Sequence, residues 1–271
     1  LRPKTSIIVC FYERLEALTC CLKSLRWAAG DFDEVVVADD GSGEETVRRV
    51  RDMGARCPFP VVHAWQPRAG PRRAAARNNG IRHASGDYLL FVDADFILLR
   101  GAVRAHVEGA RPGVFAAGRC KYTTESQARR ILEEGVNEEL VESIYRALPE
   151  DPIRREHRRF TRAELRRRLG IGDPRKATFG GHFSAFRRDL EAVNGYDENY
   201  VGWGGEDVDL AMRMVMAGFR GRSVIQSARA LHLWHPAEIK DLHWKDGANA
   251  PYFLRKKVAV VCENGLVRRS E

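Results

Sequence analysis

The sequence predicts an α/β protein built on a mostly parallel sheet with helices on both faces. Three observations carry this. Short apolar, β-branched runs recur at 5–10, 34–39, 61–65 and 88–92, with helical patterns between them. The runs are continuous rather than alternating, so both faces of each strand are covered. Strands separated by helices in this way pair in parallel through right-handed crossovers.

Each element has a local reason. The spacing of Leu15, Leu18, Leu22 and Leu25 places one apolar face on a helix over 14–27. The turn Asp40-Gly41-Ser42-Gly43 follows the second strand, and Ser42 or Gly43 can cap a helix over 44–53. Pro71 opens a helix to about residue 84, and Ser85-Gly86-Asp87 ends it before the fourth strand. Further on, Ile131, Leu132, Val136, Leu140, Val141 and Ile144 stripe one long helix over 125–147. An Arg-rich segment runs to Gly170, and the glycines between 170 and 181 mark an irregular stretch. Order resumes at 183–186. A loop over 196–205 leads into a helix over 206–217, stopped by Gly218. Short strands are predicted at 223–226 and 230–233, and the tail from about 245 has no clear element until 257–262.

Composition narrows the class. Of 271 residues, 44% are hydrophobic and 30% charged, as in ordinary globular proteins. There is no apolar run long enough to span a membrane and no visible signal peptide. The chain begins with Leu1, so residues can precede it. A net charge of +8 favours an anionic partner: a nucleotide, a phosphorylated acceptor, a nucleic acid or a membrane surface. Much of that charge is concentrated between Arg154 and Arg168, which reads either as a solvated helix face or as a guide for phosphate-bearing ligands. The six cysteines form no CxxC pair, which argues against zinc and for apolar fillers in a reducing compartment. These features point to the cytoplasm, with peripheral membrane association compatible.

Two acidic clusters carry the chemistry. Asp93-Ala94-Asp95 closes the fourth strand. Mg²⁺ and Mn²⁺ prefer oxygen ligands and often take one or two carboxylates plus substrate phosphates. Gly204-Gly205-Glu206-Asp207 opens a helix, where free backbone N–H groups favour carboxylates and the glycines beside Trp203 let a substrate approach the backbone. In open sheets ligands bind at the carboxyl ends of strands, so the polar clusters at 11–14, 39–42 and 93–95 are expected to converge. Asp39 and Asp40 can accept hydrogen bonds from a base or ribose, or simply cap a turn. Among His232, His235 and His243, His235 suits a metal ligand best, with His232 as the fallback. No GxGxxG or GxxxxGK fingerprint is present, so dinucleotide oxidoreductase and P-loop readings are poor.

With these residues in place, the chain resembles the GT-A glycosyltransferases, especially family 2. The segments 6–10, 35–42, 76–80, 86–95 and 202–210 match that family in order, and the resemblance spans about 5–240. The 203–207 segment also looks like the β1,4-galactosyltransferases and the bacterial chondroitin-polymerase type. Asp207 favours their inverting branch over the retaining polypeptide N-acetylgalactosaminyltransferases, whose related motif ends in Asn. The resemblance implies a single GT-A domain over 1–271, with a nucleotide-binding half to about 100. An acceptor half with a helical Arg-rich insertion would run over 101–245, and a tail over 246–271. It implies a UDP-sugar donor bound by Asp39, Asp40, Arg77, Asp93 and Trp203. It further implies Mn²⁺ (or Mg²⁺) on Asp95 and His235, Glu206 on a sugar hydroxyl and Asp207 as general base. The acceptor would be a hydroxyl-bearing saccharide or anionic molecule. The stretch 170–181 and the segment after His235 would close over the donor. A nucleotidyltransferase is a rival enzyme. A nucleic-acid-binding protein is the rival of another class, but no helix-turn-helix or zinc-finger signature supports it and no nucleic acid is expected.

Overall fold

The predicted apolar runs form the central strands. The computed structural model describes residues 2–236 and 247–268. The first βα units are β1 (Thr5–Phe11), α1 (Leu15–Leu25), β2 (Glu34–Asp39), α2 (Glu44–Ala55), β3 (Val61–Trp65), α3 (Arg73–His83) and β4 (Tyr88–Asp93). Next come β5 (Phe96–Leu98), α4 (Ala102–Val107), β6 (Val114–Ala117), β7 (Lys121–Tyr122), α5 (Glu125–Glu134), α6 (Glu138–Ala147) and α7 (Asp151–Arg168). The chain continues through β8 (Phe183–Phe186), α8 (Arg187–Ala192), α9 (Glu206–Met216), β9 (Arg220–Ser223), β10 (Ala230–His232) and α10 (Ala250–Phe253).

Seven strands form one sheet in the order β3-β2-β1-β4-β8-β6-β9. The β3-β2-β1-β4 block is parallel, and β8 runs antiparallel between β4 and β6. The chain winds outward from β1 to β3, then returns to place β4 on the other side of β1. The crevice between β1 and β4 is therefore the point where strand order reverses, the place where open α/β sheets bind ligands.

Alternate residues of the parallel strands enter two cores, as their continuous apolar runs require. Ile7, Val9, Val35, Val37, Leu90 and Val92 pack with Leu18 and Leu22 of α1. Ile8, Val36, Ala38, Leu89 and Phe91 pack with Ile81 of α3 and Leu210 of α9. Leu18 and Leu25 have no exposed surface, and each such burial stabilises the fold by roughly 1.5–3 kcal/mol. A second sheet, β5-β10-β7, packs beneath α5 and α6 through Ile97, Leu231, Ile131 and Val141. All six cysteines are free.

Four differences from the sequence reading have physical reasons. The helix predicted over 125–147 is two helices, because Asn137 Oδ1 accepts the Leu140 N–H at 2.8 Å and starts α6 afresh. Leu132 is 44% exposed, on the outer side of α5, while Ile131 and Ala128 are buried. The strand predicted at 223–226 lies at 220–223, because parallel pairing with β6 sets its register and the chain turns at Val224. Residues 257–262, where the sequence predicts an element, form neither helix nor strand; that segment is tied down by the Asn194 amide donating to the Cys262 carbonyl at 2.8 Å.

Helix α3 approaches the sheet closely enough to aim Arg77 into the crevice. Gly80 permits this: a Cβ there would stand 2.7 Å from the Ile8 Cγ2 and 3.0 Å from the Ala38 Cβ. Gly80→Ala is expected to overpack this contact and lower stability by about 1–3 kcal/mol in chemical denaturation, with the helix pushed off the sheet.

Candidate active site at the sheet crevice

The parallel register brings the strand ends level. Phe11 lies opposite Asp39, and Cys10 opposite Asp93. The polar clusters at 11–14, 39–42 and 93–95 converge as the topology predicts. Glu13 accepts the Gly43 N–H and the Thr46 hydroxyl, both at 2.6 Å, while Arg14 reaches Asp95 at 3.2 Å.

Asp39 and Asp40 stand at this edge but are fully occupied by the protein. Asp39 Oδ1 accepts from the Ser42 backbone N–H at 2.9 Å and hydroxyl at 2.7 Å, and its Oδ2 lies 2.8 Å from His63 Nε2. Asp40 takes the Gln66 amide at 2.8 Å, the Arg72 backbone N–H at 2.7 Å and the Arg68 guanidinium at 3.1 Å. The Asp39 carboxylate therefore shapes the 40–43 turn and ties it to His63, and the Asp40 carboxylate holds the 66–72 loop.

The two acidic clusters meet across Arg77. Its guanidinium lies 2.9 Å from Asp93, 3.0 Å from Glu206 and 3.4 Å from Asp207. Two neighbours set this arrangement. Asn78 exchanges hydrogen bonds with the Tyr196 backbone, both at 2.9 Å, and so anchors the loop that leads to α9. Gly205 caps α9 in the left-handed region at φ 97°, a conformation that costs glycine little, and turns Glu206 and Asp207 towards the crevice.

A small cavity joins Arg77, Asp93, Tyr196 and Asp207, walled by Phe179, Gly180, Gly181 and His182. The Asp207 side chain borders this cavity and is 43% accessible. Loss of hydration pushes its pKa up to about 6; Arg77 opposes this, and Glu206 and Asp93 add to it. Asp209, two residues on, is structural: it is buried against Arg213 at 2.6 Å and accepts from the Tyr200 hydroxyl at 3.1 Å.

A separate cluster forms around Asp95. Strand β10 pairs antiparallel with β5, and the Leu233 N–H donates to the Asp95 carbonyl at 2.9 Å. This pairing sets His232 Nε2 3.6 Å and His235 Nε2 3.4 Å from the Asp95 carboxylate. One ligand atom from each of the three residues lies within 4.8 Å of the others. Asp95 Oδ1 and His232 Nδ1 are buried without a hydrogen-bond partner among the described residues. Burial lowers the pKa of His232 and favours the neutral imidazole a metal requires, whereas its hydrogen bond to Asp95 raises that of His235. One carboxylate and two imidazoles form a donor set that can hold a divalent first-row metal, Mn²⁺ among them. His232 and His235 thus stand equally near Asp95, and His243 lies outside the described residues, as does 237–246, most of the segment expected to close after His235.

Trp203, 39% exposed, lies in the loop before α9, where the Asn249 amide donates to the Gly204 carbonyl at 2.8 Å. Sequence reasoning missed Tyr196 and His182, which face the cavity from segments without a motif. Arg14 was visible only as part of a polar strand end.

Comparisons with known proteins agree with this fold. The family described as glycosyl transferase family 2 matches residues 6–192, and the N-terminal domain of galactosyltransferase matches 164–236. A validoxylamine A glucosyltransferase from Streptomyces hygroscopicus subsp. jinggangensis is 30% identical over 222 residues, covering 78% of this chain and 51% of the relative. Chondroitin synthase from Escherichia coli is 27% identical over 276 residues, covering 93% and 39%. The chain thus spans about half or less of the length of these two relatives. Among solved structures, a mannosyltransferase from Pyrobaculum calidifontis in complex with GDP-Man and Mn²⁺ aligns with TM-score 0.58 at 18% identity, covering 88% of this chain and 59% of that one. GalNAc-T7 with UDP, GalNAc and Mn²⁺ aligns with TM-score 0.57 at 16% identity, covering 86% and 44%. Both show the GT-A α/β fold.

The raised pKa of Asp207 has a stability consequence. Between its ordinary 3.8 and about 6 the folded state holds a proton that the unfolded chain releases, so this carboxyl costs stability as pH rises through that window. Asp207→Asn should therefore raise the melting midpoint at about pH 7.5 and change it little at about pH 4. A pH-independent difference in calorimetry would contradict the assignment.

Proposed function

The chain belongs to glycosyltransferase family 2, and from its cleft we propose that it transfers a hexose or N-acetylhexosamine from a UDP-sugar to a hydroxyl acceptor with inversion of configuration. The observation that carries this reading is Asp207. It is an accessible carboxylate of raised pKa, it shares a cavity with Asp93, and it is held across Arg77 from the strand-end acids.

In this reading Asp207 takes the proton from the acceptor hydroxyl. The acceptor oxygen then bonds to the anomeric carbon from the face opposite the diphosphate, and the glycosyl–phosphate bond breaks with its electron pair leaving on UDP. A positioned base of this kind is worth roughly 10²- to 10⁴-fold. Glu206 orients a sugar hydroxyl while Arg77 fixes its carboxylate. Asp93 and Arg77 border the donor's ribose and phosphates. Asp39 and Asp40 contribute to uracil and ribose binding through the turn and loop they hold, and Trp203 flanks the sugar. The wall formed by residues 179–182 excludes water from the reacting bond. Asp95, with His232 and His235, would hold Mn²⁺ (or Mg²⁺), which when bound supplies positive charge against the diphosphate.

Two experiments test this. Asp207→Asn should lower kcat by about 10²- to 10⁴-fold while calorimetric UDP and Mn²⁺ affinities persist, and the wild-type rate should fall as pH drops below about 6. Near-normal turnover in that variant would remove Asp207 from its role, and a product of unchanged anomeric configuration would instead indicate a retaining enzyme. Asp95→Ala should weaken Mn²⁺-dependent UDP binding by at least about tenfold, the loss that even outer partners of a metal site produce. Release of pyrophosphate rather than UDP would turn the reading towards nucleotidyl transfer.

A further inference from the structure

Helix α7 carries a feature that the cleft does not use. Its inner face is anchored on the sheet edge: Ile153 and Phe160 are buried, Glu164 accepts the Gly221 N–H at 3.0 Å, and His157 lies 2.8 Å from the Ser223 hydroxyl. Its outer face carries Arg154, Arg155, Arg158, Arg162 and Arg166, all exposed. None of these five has an ion pair or side-chain hydrogen bond among the described residues. Arg154, Arg158, Arg162 and Arg166 are spaced four apart, so they form a row of roughly 18 Å. Like charges at this spacing destabilise a helix, and a plain solvated face normally interleaves both signs.

The row borders a groove of about 860 Å³ that Asp151, Ile171, Gly172, Asp173 and Lys176 also line. At the same end of the helix, Leu165, Leu169 and Ile171 are 57%, 66% and 69% exposed. A soluble polyanion would account for the arginines but leaves these three large apolar side chains in water. A cluster of unpaired cations with exposed leucine and isoleucine beside it suits an anionic bilayer surface, where the cations meet lipid phosphates and the apolar side chains leave water.

We propose that α7 docks this protein on an anionic membrane surface. The arginine row takes lipid phosphates, and Leu165, Leu169 and Ile171 enter the headgroup–acyl boundary. No described helix is long and apolar enough to cross a membrane, so this contact is peripheral. It also sets the cleft close to the bilayer. Lys176 borders the groove, and Gly180 of the catalytic cavity is four residues further on, at most about 14 Å along the chain. The docking stands independently of the reaction proposed for the cleft.

Vesicle sedimentation tests it. The wild-type chain should pellet with phosphatidylcholine vesicles containing about one-third phosphatidylglycerol at low salt, should release at high salt, and should ignore pure phosphatidylcholine. The triple variant Arg158→Gln, Arg162→Gln, Arg166→Gln should lower the partition coefficient on the order of a hundredfold. The triple variant Leu165→Ser, Leu169→Ser, Ile171→Ser should lower it several-fold and leave the salt dependence in place. Circular dichroism melts confirm that each variant is folded, and neither set touches the cleft. The proposal fails if the wild-type chain stays in the supernatant with anionic vesicles, if either folded variant partitions like the wild type, or if heparin binds while vesicles do not.

Discussion

A buried guanidinium holds the cleft together. Arg77 is almost fully enclosed, and a cation in that position is tolerable only if its lost hydration is replaced. Three carboxylates replace it: Asp93 from the end of β4, and Glu206 and Asp207 from the start of α9. Arg77 and Asp93 lie more than a hundred residues before Glu206 and Asp207, so the ion cluster fastens distant parts of the chain at the point where chemistry is proposed. The same cluster sets Asp207 apart. Glu206 lies buried against Arg77, while Asp207 keeps an accessible face and a raised pKa.

The constraint reaches further through packing. Gly80 lets α3 lie close on Ile8 and Ala38, which aims Arg77, and Asn78 beside it grips the Tyr196 backbone and so aligns the loop before α9. A short segment of α3 thus serves the sheet, the cation and the opposing loop at once. The metal-type cluster depends on a different device, the pairing of β5 with β10, which returns His232 and His235 to Asp95. The cleft therefore has a charge-clamped side and a side held by strand pairing, with Asp93 and Asp95 linking them at the end of one strand.

Much of this was legible in the amino-acid order. The strand runs at 5–10, 34–39, 61–65 and 88–92 are read correctly because continuous apolar β-branched residues suit strands covered on both faces. The start of α9 was legible from paired glycines followed by acids. Failures occurred where local pattern and tertiary pairing compete. The apolar stripe over 125–147 is continuous, but Asn137 finds a better role as a cap than as a helix interior residue. The short strands β5, β6 and β7 carry too few residues to show a period, and they exist because partners lie beside them.

The sequence by itself determined the parallel βαβ frame, the ends at which polar residues collect, and the residue types able to bind a metal, take a proton or meet an anion. It did so because periodicity, glycine placement and charge are local properties. Only the tertiary structure decided how each acid is partnered and how exposed it is. Asp39 and Asp40 bond to residues near them in the fold, Asp209 pairs with Arg213, and Glu206 and Asp207 share Arg77, with Asp207 the more accessible of the two. A carboxylate's availability depends on the hydrogen-bond partners and solvent around it, and those are supplied by residues distant in the chain.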